Sequence, residues 1–256
     1  MSATPYSWLT YLKGDQTIRG RTVNIDANPI EVLEHLDVAP WMSYVEARRG
    51  RLVLYNDTFY AKLRLDADRA RSFNRGSLNV AADVQFEQAI IEAGAAYEIG
   101  RWRSGGGIKD DVPARFTALD LVLGARYWYQ DMSISLALTA VIDTTDLDIS
   151  GSRAIARGGN VDWVDPLVGF RIRHQMAPGR ELVFRADVGG FDVGSTISWN
   201  VLAAYGWDVA MRNGVTYSGV LGYRALSVDY TKGTGPHRYE YDVLQHGPIM
   251  GLSVKF

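Results

Sequence analysis

The chain has 256 residues, 47% of them apolar, with 27 Lys+Arg against 29 Asp+Glu and no Cys. A formal charge of -2 is no basis for a nucleic-acid binder held by phosphate neutralisation, and a chain without Cys has no disulfide framework, Cys-ligated zinc, iron–sulfur cluster or thiol nucleophile. No stretch reaches the roughly 18 consecutive apolar residues of a spanning helix, the opening MSATPYSWL lacks the basic segment and apolar core of a secretory signal, and the length suits one all-β domain over 1–256.

In chain order, strand-like segments at 8–12 and 41–47 flank one helical signal. Asn28 precedes Pro29, Glu31 stands at the third helical position, and Ile30, Leu33 and Leu36 share a face, which predicts a short helix over 29–36 inside a 14–37 loop segment. In 77–102 an apolar set at Leu78, Val80, Ala82, Val84 and Phe86 gives way to one of opposite phase at Ala89, Ile91, Ala93, Ala95, Tyr97 and Ile99. The flip near Glu87-Gln88 marks either two strands or one bulged strand. From Leu119 the odd positions are oily (Leu121, Leu123, Ala125, Tyr127, Tyr129) and the even ones include Asp120 and Arg126. The same two-faced pattern recurs at 164–173, 181–188 and 197–208.

A soluble sandwich also alternates, but its polar face is uniformly solvated. Here the second face mixes Gly, Ala, Val and Leu with isolated Arg and Asp, as a narrow enclosed interior requires. Aromatics at Tyr127, Tyr129, Trp199, Trp207, Tyr217 and Tyr223 suit interfacial girdles around a lipid-facing band. The fold class expected is therefore an all-β, closed, antiparallel up-and-down transmembrane β-barrel. The segment 14–37 is expected to cap its rim or plug its lumen. Short connections are read at 48–50, 129–131, 177–180 and 211–214, and longer polar external loops at 66–76, 103–113, 146–159 and 231–237. Placing the tight turns on one side makes 77–102 two strands and the barrel about twelve-stranded, with ten as the alternative.

The chain ends GPIMGLSVKF, with Met250, Leu252, Val254 and Phe256 on one face. An amphipathic last strand that stops on an aromatic resembles the insertion signal read by the barrel-assembly machinery. Lumen-side charges are the first site candidates: Arg126, Arg171, Arg173, Arg185, Arg224, Asp120, Asp165 and Asp187, with Glu46, Arg48, Lys62, Arg64 and Asp208 beside them. Charges inside a low-dielectric wall pair or stay hydrated, so they read as scaffold pairing or as a constriction that prefers anions if a path exists. Arg69, Arg71, Arg75, Arg153 and Arg157 fall in the expected external loops, where guanidiniums suit lipopolysaccharide phosphates.

Enzymatic signals are thinner. His35, His174, His237 and His246 are scattered, with Ser227 and Asp229 near the last two. The stretch 143–148 lacks the Gly and Glu of a calcium loop, and Gly105-Gly106-Gly107 and Gly189-Gly190 open no helix. Neither metal nor cofactor is expected, and the chain reads as no enzyme.

Several signatures occur together and in order: Glu46-Ala47-Arg48-Arg49-Gly50, Gly124-Ala125-Arg126-Tyr127-Trp128, Asp162-Trp163-Val164-Asp165-Pro166, Asp187-Val188-Gly189-Gly190-Phe191, Gly222-Tyr223-Arg224 and Gly247-Pro248. From Trp8 to Phe256 the chain resembles a family of largely uncharacterised outer-membrane β-barrel proteins of Gram-negative bacteria. The resemblance implies the barrel, the outer membrane with its lipid and lipopolysaccharide, and the assembly machinery; it brings no activity. The function expected is a structural or passive small-solute pore role. A lipid- or lipopolysaccharide-modifying enzyme and a soluble lipocalin-like binder are the alternatives.

Overall fold

The computed structural model describes the backbone except at residues 19, 74–75, 104–114 and 145–146, and the side chains except also at 21, 23, 65–82, 134, 136–158 and 236. Its described strands are β1 (Ser2–Trp8), β2 (Tyr11–Ile18), β3 (Arg21–Ala27), β4 (Trp41–Arg49), β5 (Leu52–Phe73), β6 (Gly76–Arg103), β7 (Phe116–Thr144), β8 (Leu147–Ala177), β9 (Arg180–Gly190), β10 (Ile197–Arg212), β11 (Val215–Lys232) and β12 (Tyr239–Lys255). They form one antiparallel sheet of 12 strands that closes where β1 meets β12, so a 10-strand barrel carries two extra strands, β2 and β3.

Both β1 and β2 lie along β12. Trp8 pairs with Ile249 and Tyr11 with His246, and between them the Leu9 N–H donates to the Pro248 carbonyl at 3.0 Å. The step between the two strands passes Gly247, whose φ of +155° brings its α-carbon so close that a Cβ would lie 1.9 Å from the Leu9 carbonyl oxygen. Gly247→Ala is therefore expected to cost more than about 1 kcal/mol, read as a lower urea midpoint for the purified barrel.

The outward residues are apolar over one band. Leu121 and Leu123 on β7, Val164, Val168 and Phe170 on β8, Leu182 and Phe184 on β9, Leu221 and Tyr223 on β11, and Met250 and Leu252 on β12 are all exposed. Trp199, Trp207 and Tyr217 are exposed with them. The ten-residue advance from Leu119 to Tyr129 corresponds to about 33 Å along the strand, or about 25 Å along a barrel axis at the usual tilt.

Beyond that band the two faces exchange chemistry. The row Thr58, Ile91, Tyr127, Val164 is followed two positions on by Tyr60, Ala89, Tyr129, Asp162, and then by Lys62, Glu87, Asp131, Asn160. On the inner side Phe86 packs against the apolar core, and Val161, Val228, Tyr241 and Val243 belong to it. The register through Glu87-Gln88 is unbroken on both edges of β6, whose only shift lies between Glu98 and Gly100. The phase flip is thus a switch of the apolar residues from the outer face to the inner one within a single strand, neither a turn nor a bulge.

Four expectations are corrected by this. Residues 77–102 belong to one long strand, β6. No turn occurs at 129–131, which lie inside β7 because Gln130 is buried in the lumen while Asp131 faces out above the band. Most of 66–76 and 146–159 continues as strand in β5, β6 and β8 rather than as loop. The β6–β7 connection falls at the end that holds the tight turns after β4, β8 and β10, and its residues 104–114 lie outside the described ones. Of those turns, Asn213-Gly214 has φ of 53° and 80°, as its sequence predicts.

The helix α1 is shorter than expected, Pro29–Glu34, with the capping box in place. The Asn28 side chain accepts from Ile30 N at 2.9 Å and Glu31 N at 3.1 Å, while Glu31 accepts from Asn28 N at 3.0 Å. It does not plug the lumen. Ile30 and Leu33 are exposed, and the chain after it docks beside β5 through the Leu36–Leu63 bridge and a 3.3 Å Lys62–Asp37 ion pair.

Candidate functional site

Small residues and close strands narrow the barrel, and side chains fill its middle. Gly94 and Gly124 oppose each other on β6 and β7, where a Cβ on either would meet the Tyr55 hydroxyl within 3 Å. That hydroxyl accepts from Arg185 Nη2 at 3.1 Å. Around it lies the first of two ionic clusters. Arg126, fully buried, donates through Nη2 to Glu92 at 2.7 Å and to Asp187 at 2.6 Å. Arg185 bonds both Glu92 and Asp187. Arg224 donates to Asp57 at 2.8 Å, to Tyr6 at 3.1 Å and to Asn200 at 3.0 Å, and Asn200 donates in turn to Asp187 at 2.9 Å. Three guanidiniums, Arg126, Arg185 and Arg224, thus meet three carboxylates, Asp57, Glu92 and Asp187.

The second cluster sits nearer the tight-turn end. Asp120 accepts from Arg171 Nε at 2.8 Å and Arg173 Nε at 2.9 Å. Arg171 Nη1 reaches Glu46 at 2.8 Å, Arg173 Nη2 reaches Glu98 at 2.8 Å, and Arg101 grips Glu98 at 2.9 and 2.8 Å. Arg48 lies 3.5 Å from Glu98 and 3.9 Å from Asp120. The Tyr44–Tyr55 stack, 6.2 Å between centroids, joins the two clusters.

Above the ionic layer the lumen is aromatic. Trp163 stacks on Tyr230 at 3.9 Å and on Trp128 at 5.5 Å, Trp8 meets Phe59 edge-on at 5.7 Å, and Arg224 lies 4.9 Å over Trp8. Beside it lies an amide and phenol network: Gln245 donates to Gln88 at 2.8 Å and to Tyr241 at 3.0 Å, and Tyr239 donates to Gln130. Below the ionic layer, at the tight-turn end, the lumen widens into a cavity of about 440 Å³. Val183, Leu202, Ala204, Val220 and Ile249 form part of its wall; Tyr44, Glu46, Arg48 and Arg171 form another part.

All eight principal lumen candidates are buried: Arg126, Arg171, Arg173, Arg185, Arg224, Asp120, Asp165 and Asp187. Seven of them join the clusters. Asp165 instead accepts from Trp128 Nε1 at 3.1 Å and from Ser195 N and Oγ at 2.7 and 2.8 Å, pinning the 191–196 turn inside the wall. Lys62 and Arg64 are corrected: they follow Leu52 and Leu54 in strand phase and face out, pairing with Asp37 and Asp83. Asp208 lies toward the tight-turn end, 2.6 Å from the Ser218 hydroxyl. The reading missed Asp57, Glu92 and Glu98. The phase of Asp120 on β7 selects Glu92 and Glu98 on β6 once that segment is taken as one strand.

The histidines do not converge. His246 accepts or donates at 2.7 Å with the Tyr223 hydroxyl and stacks on Tyr11, whereas Ser227 pairs with Leu244 and Asp229 with Asp242. Arg69, Arg71, Arg153 and Arg157 stand in β5 and β8 with side chains outside the described residues, and Arg75 lies outside them entirely. Met250, Leu252 and Phe256 are exposed and Val254 is partly so.

No protein-family model and no curated protein matches the sequence. Among solved structures, the chain is similar to a Pseudomonas aeruginosa FadL homologue, at 8% identity and a TM-score of 0.31, over 99% of this chain and 88% of that one. It is also similar to the CymD monoaromatic hydrocarbon channel, at 10% identity and a TM-score of 0.24, over 99% and 86%. The Pseudomonas putida toluene transporter TodX aligns at 8% identity and a TM-score of 0.22, over 98% and 87%.

Proposed function

We propose that the chain is an integral β-barrel of the Gram-negative outer membrane with a passive small-solute pore role, closed at rest across its middle. The observation that carries this is the exposed apolar band around a lumen of charged and aromatic side chains, with the polarity of the two faces exchanged beyond it. Hydrocarbon accounts for an oily outside only over the band, and water accounts for an oily inside only past it. In this reading the tight-turn end faces the periplasm.

The ionic layer sets both closure and selectivity. Its guanidiniums are matched almost one for one by carboxylates, so the anion preference is weaker than the arginines alone would impose. Purified in detergent, the protein is expected to show heat-modifiable gel mobility and, in planar bilayers, small and rare conductance events with a slight anion preference. Removing one matched pair, in Glu92→Ala/Arg126→Ala, is expected to raise conductance several-fold. A chain that stays monomeric in water without surfactant overturns the membrane reading. Silence in both proteins overturns the pore.

A further inference from the structure

We propose that the outer leaflet of the membrane is the partner of segment 28–41: α1 lies in the lipid interface and, held there, covers a seam in the barrel wall. Among the described residues, β3 pairs with β2 alone, and β5 beyond Tyr60 has no strand on the side where β4 ends. An unpaired edge exposes backbone N–H and C=O groups, which hydrocarbon cannot satisfy. Segment 28–40 crosses this seam and reaches β5 through the Leu36–Leu63 bridge, with Asp37 N donating to the Lys62 carbonyl at 2.9 Å and Arg64 N to the His35 carbonyl at 2.7 Å. At the foot of the seam the Trp8 N–H donates to Met42 Sδ at 3.1 Å, and Ile25 of β3 packs against the core that holds Trp8, Met42 and Phe59.

Both ends of the segment are tied to the margin of the apolar band. Ala27 pairs with Leu12, next to Tyr11, whose ring stacks on His246, and His246 lies 2.7 Å from the hydroxyl of the band residue Tyr223. At the other end Trp41 pairs with Tyr60, in the row of Tyr129 that closes the band. Between these ties Ile30, Leu33, Val38 and Trp41 are exposed, Ile30 and Trp41 at 67% and 63%. On α1, Ile30 and Leu33 form one row, and Glu31 and Glu34, also exposed, form a second about 100° round the helix. A helix so divided settles with its apolar row at the acyl boundary and its acids in water, and a neighbouring Trp favours the same depth. The apolar strip is continuous with the band at both ends, so what covers the band covers the strip. The inference rests on the membrane reading.

The chain has no Cys, so single Cys spin labels report on each position in phosphatidylcholine vesicles through collisions with oxygen, which concentrates in lipid, and with a water-soluble nickel chelate. At Leu33→Cys oxygen is expected to win several-fold, as at Leu123→Cys in the band. At Glu34→Cys the chelate is expected to win, as at Ser133→Cys beyond it. A Leu123 label open to the chelate overturns the membrane reading and this inference with it; lipid at Leu123 with the Leu33 label as wet as that at Glu34 overturns the anchor alone. A Leu33 label that neither reagent reaches is covered by protein and overturns lipid as the partner. The cover over the seam is tested by alkylation of Ile25→Cys with a water-soluble maleimide. The reaction is expected to be slow in the otherwise unchanged chain and several-fold faster when Ile30→Asn and Leu33→Asn are added, with heat-modifiable mobility the same. An unchanged rate overturns the sealing of the seam by lipid.

Discussion

Glu92→Ala is expected to lower the unfolding free energy of the barrel by about 3–5 kcal/mol, the cost of leaving buried charge without its partner. Glu92 is 1% exposed and holds two arginines at once: Arg126 through Nε at 3.0 Å and Nη2 at 2.7 Å, and Arg185 from the other side. After its removal both guanidiniums depend on Asp187, which already accepts from Arg126, Arg185 and Asn200. Water repairs little of this, because Arg126 is wholly buried and Arg185 is covered by the Tyr55 ring, 4.6 Å from its guanidinium carbon. Glu92→Gln keeps the volume and one acceptor and is expected to lose about half as much. Arg126→Ala in the Glu92→Ala background is expected to cost less than the sum of the single changes, since Arg185 and Asp187 remain a matched pair. The comparison is Glu87→Ala, on the same strand but above the band and facing out, where loss of its 3.1 Å bond from Tyr60 is expected to cost under about 1 kcal/mol. Urea unfolding in vesicles, followed by tryptophan fluorescence and gel mobility, measures all of these. A Glu92→Ala barrel within 1 kcal/mol of the parent would show that the ionic layer is solvated and removable.

The architecture and most of the ionic layer were legible because period-two alternation reports which residues share a face. Asp120, Arg126, Arg171, Arg173, Arg185, Asp187 and Arg224 were all placed inside on that ground alone, and all are buried. Alternation does not report what lies beyond each face. At Glu87-Gln88 the strand continues unbroken while the apolar residues pass from the outer face to the inner one, a pattern that alternation alone does not separate from a chain reversal or a bulge. The same ambiguity produced a turn at 129–131 and loops at 66–76 and 146–159: these segments are strand, but polar composition does not distinguish a strand from a loop. Splitting β6 also hid Glu92 and Glu98, the acids that complete the two clusters. The pairing of the segment after α1 with β5 was out of reach for a different reason. Leu36 and Leu63 meet through one isolated bridge, a contact with no sequence period behind it.

Moving an arginine along the outer face of β7 tests the boundary directly. Leu123 is 54% exposed in the middle of the band, and Leu123→Arg is expected to destabilise the inserted barrel by about 2–4 kcal/mol, the cost of a cation near the bilayer midplane. Ser133 keeps the same strand phase ten residues on, beyond the row that contains Glu87 and Asp131, and Ser133→Arg is expected to cost less than about 1 kcal/mol. Tyr129→Arg, in the row between, is expected to be intermediate, because an interfacial arginine reaches the headgroups along its own stem. The gradient is the informative quantity: a water-soluble sandwich with a second covering layer predicts no penalty at exposed Leu123, whereas a bilayer predicts one that rises with depth. Unfolding from phosphatidylcholine vesicles gives the three values. In detergent micelles of short chain length the Leu123→Arg penalty is expected to shrink, since a micelle thins around a charge more readily than a bilayer does. Equal stability of the three variants in vesicles would remove hydrocarbon from the outside of the band and with it the assignment of the two ends of the lumen to two aqueous compartments.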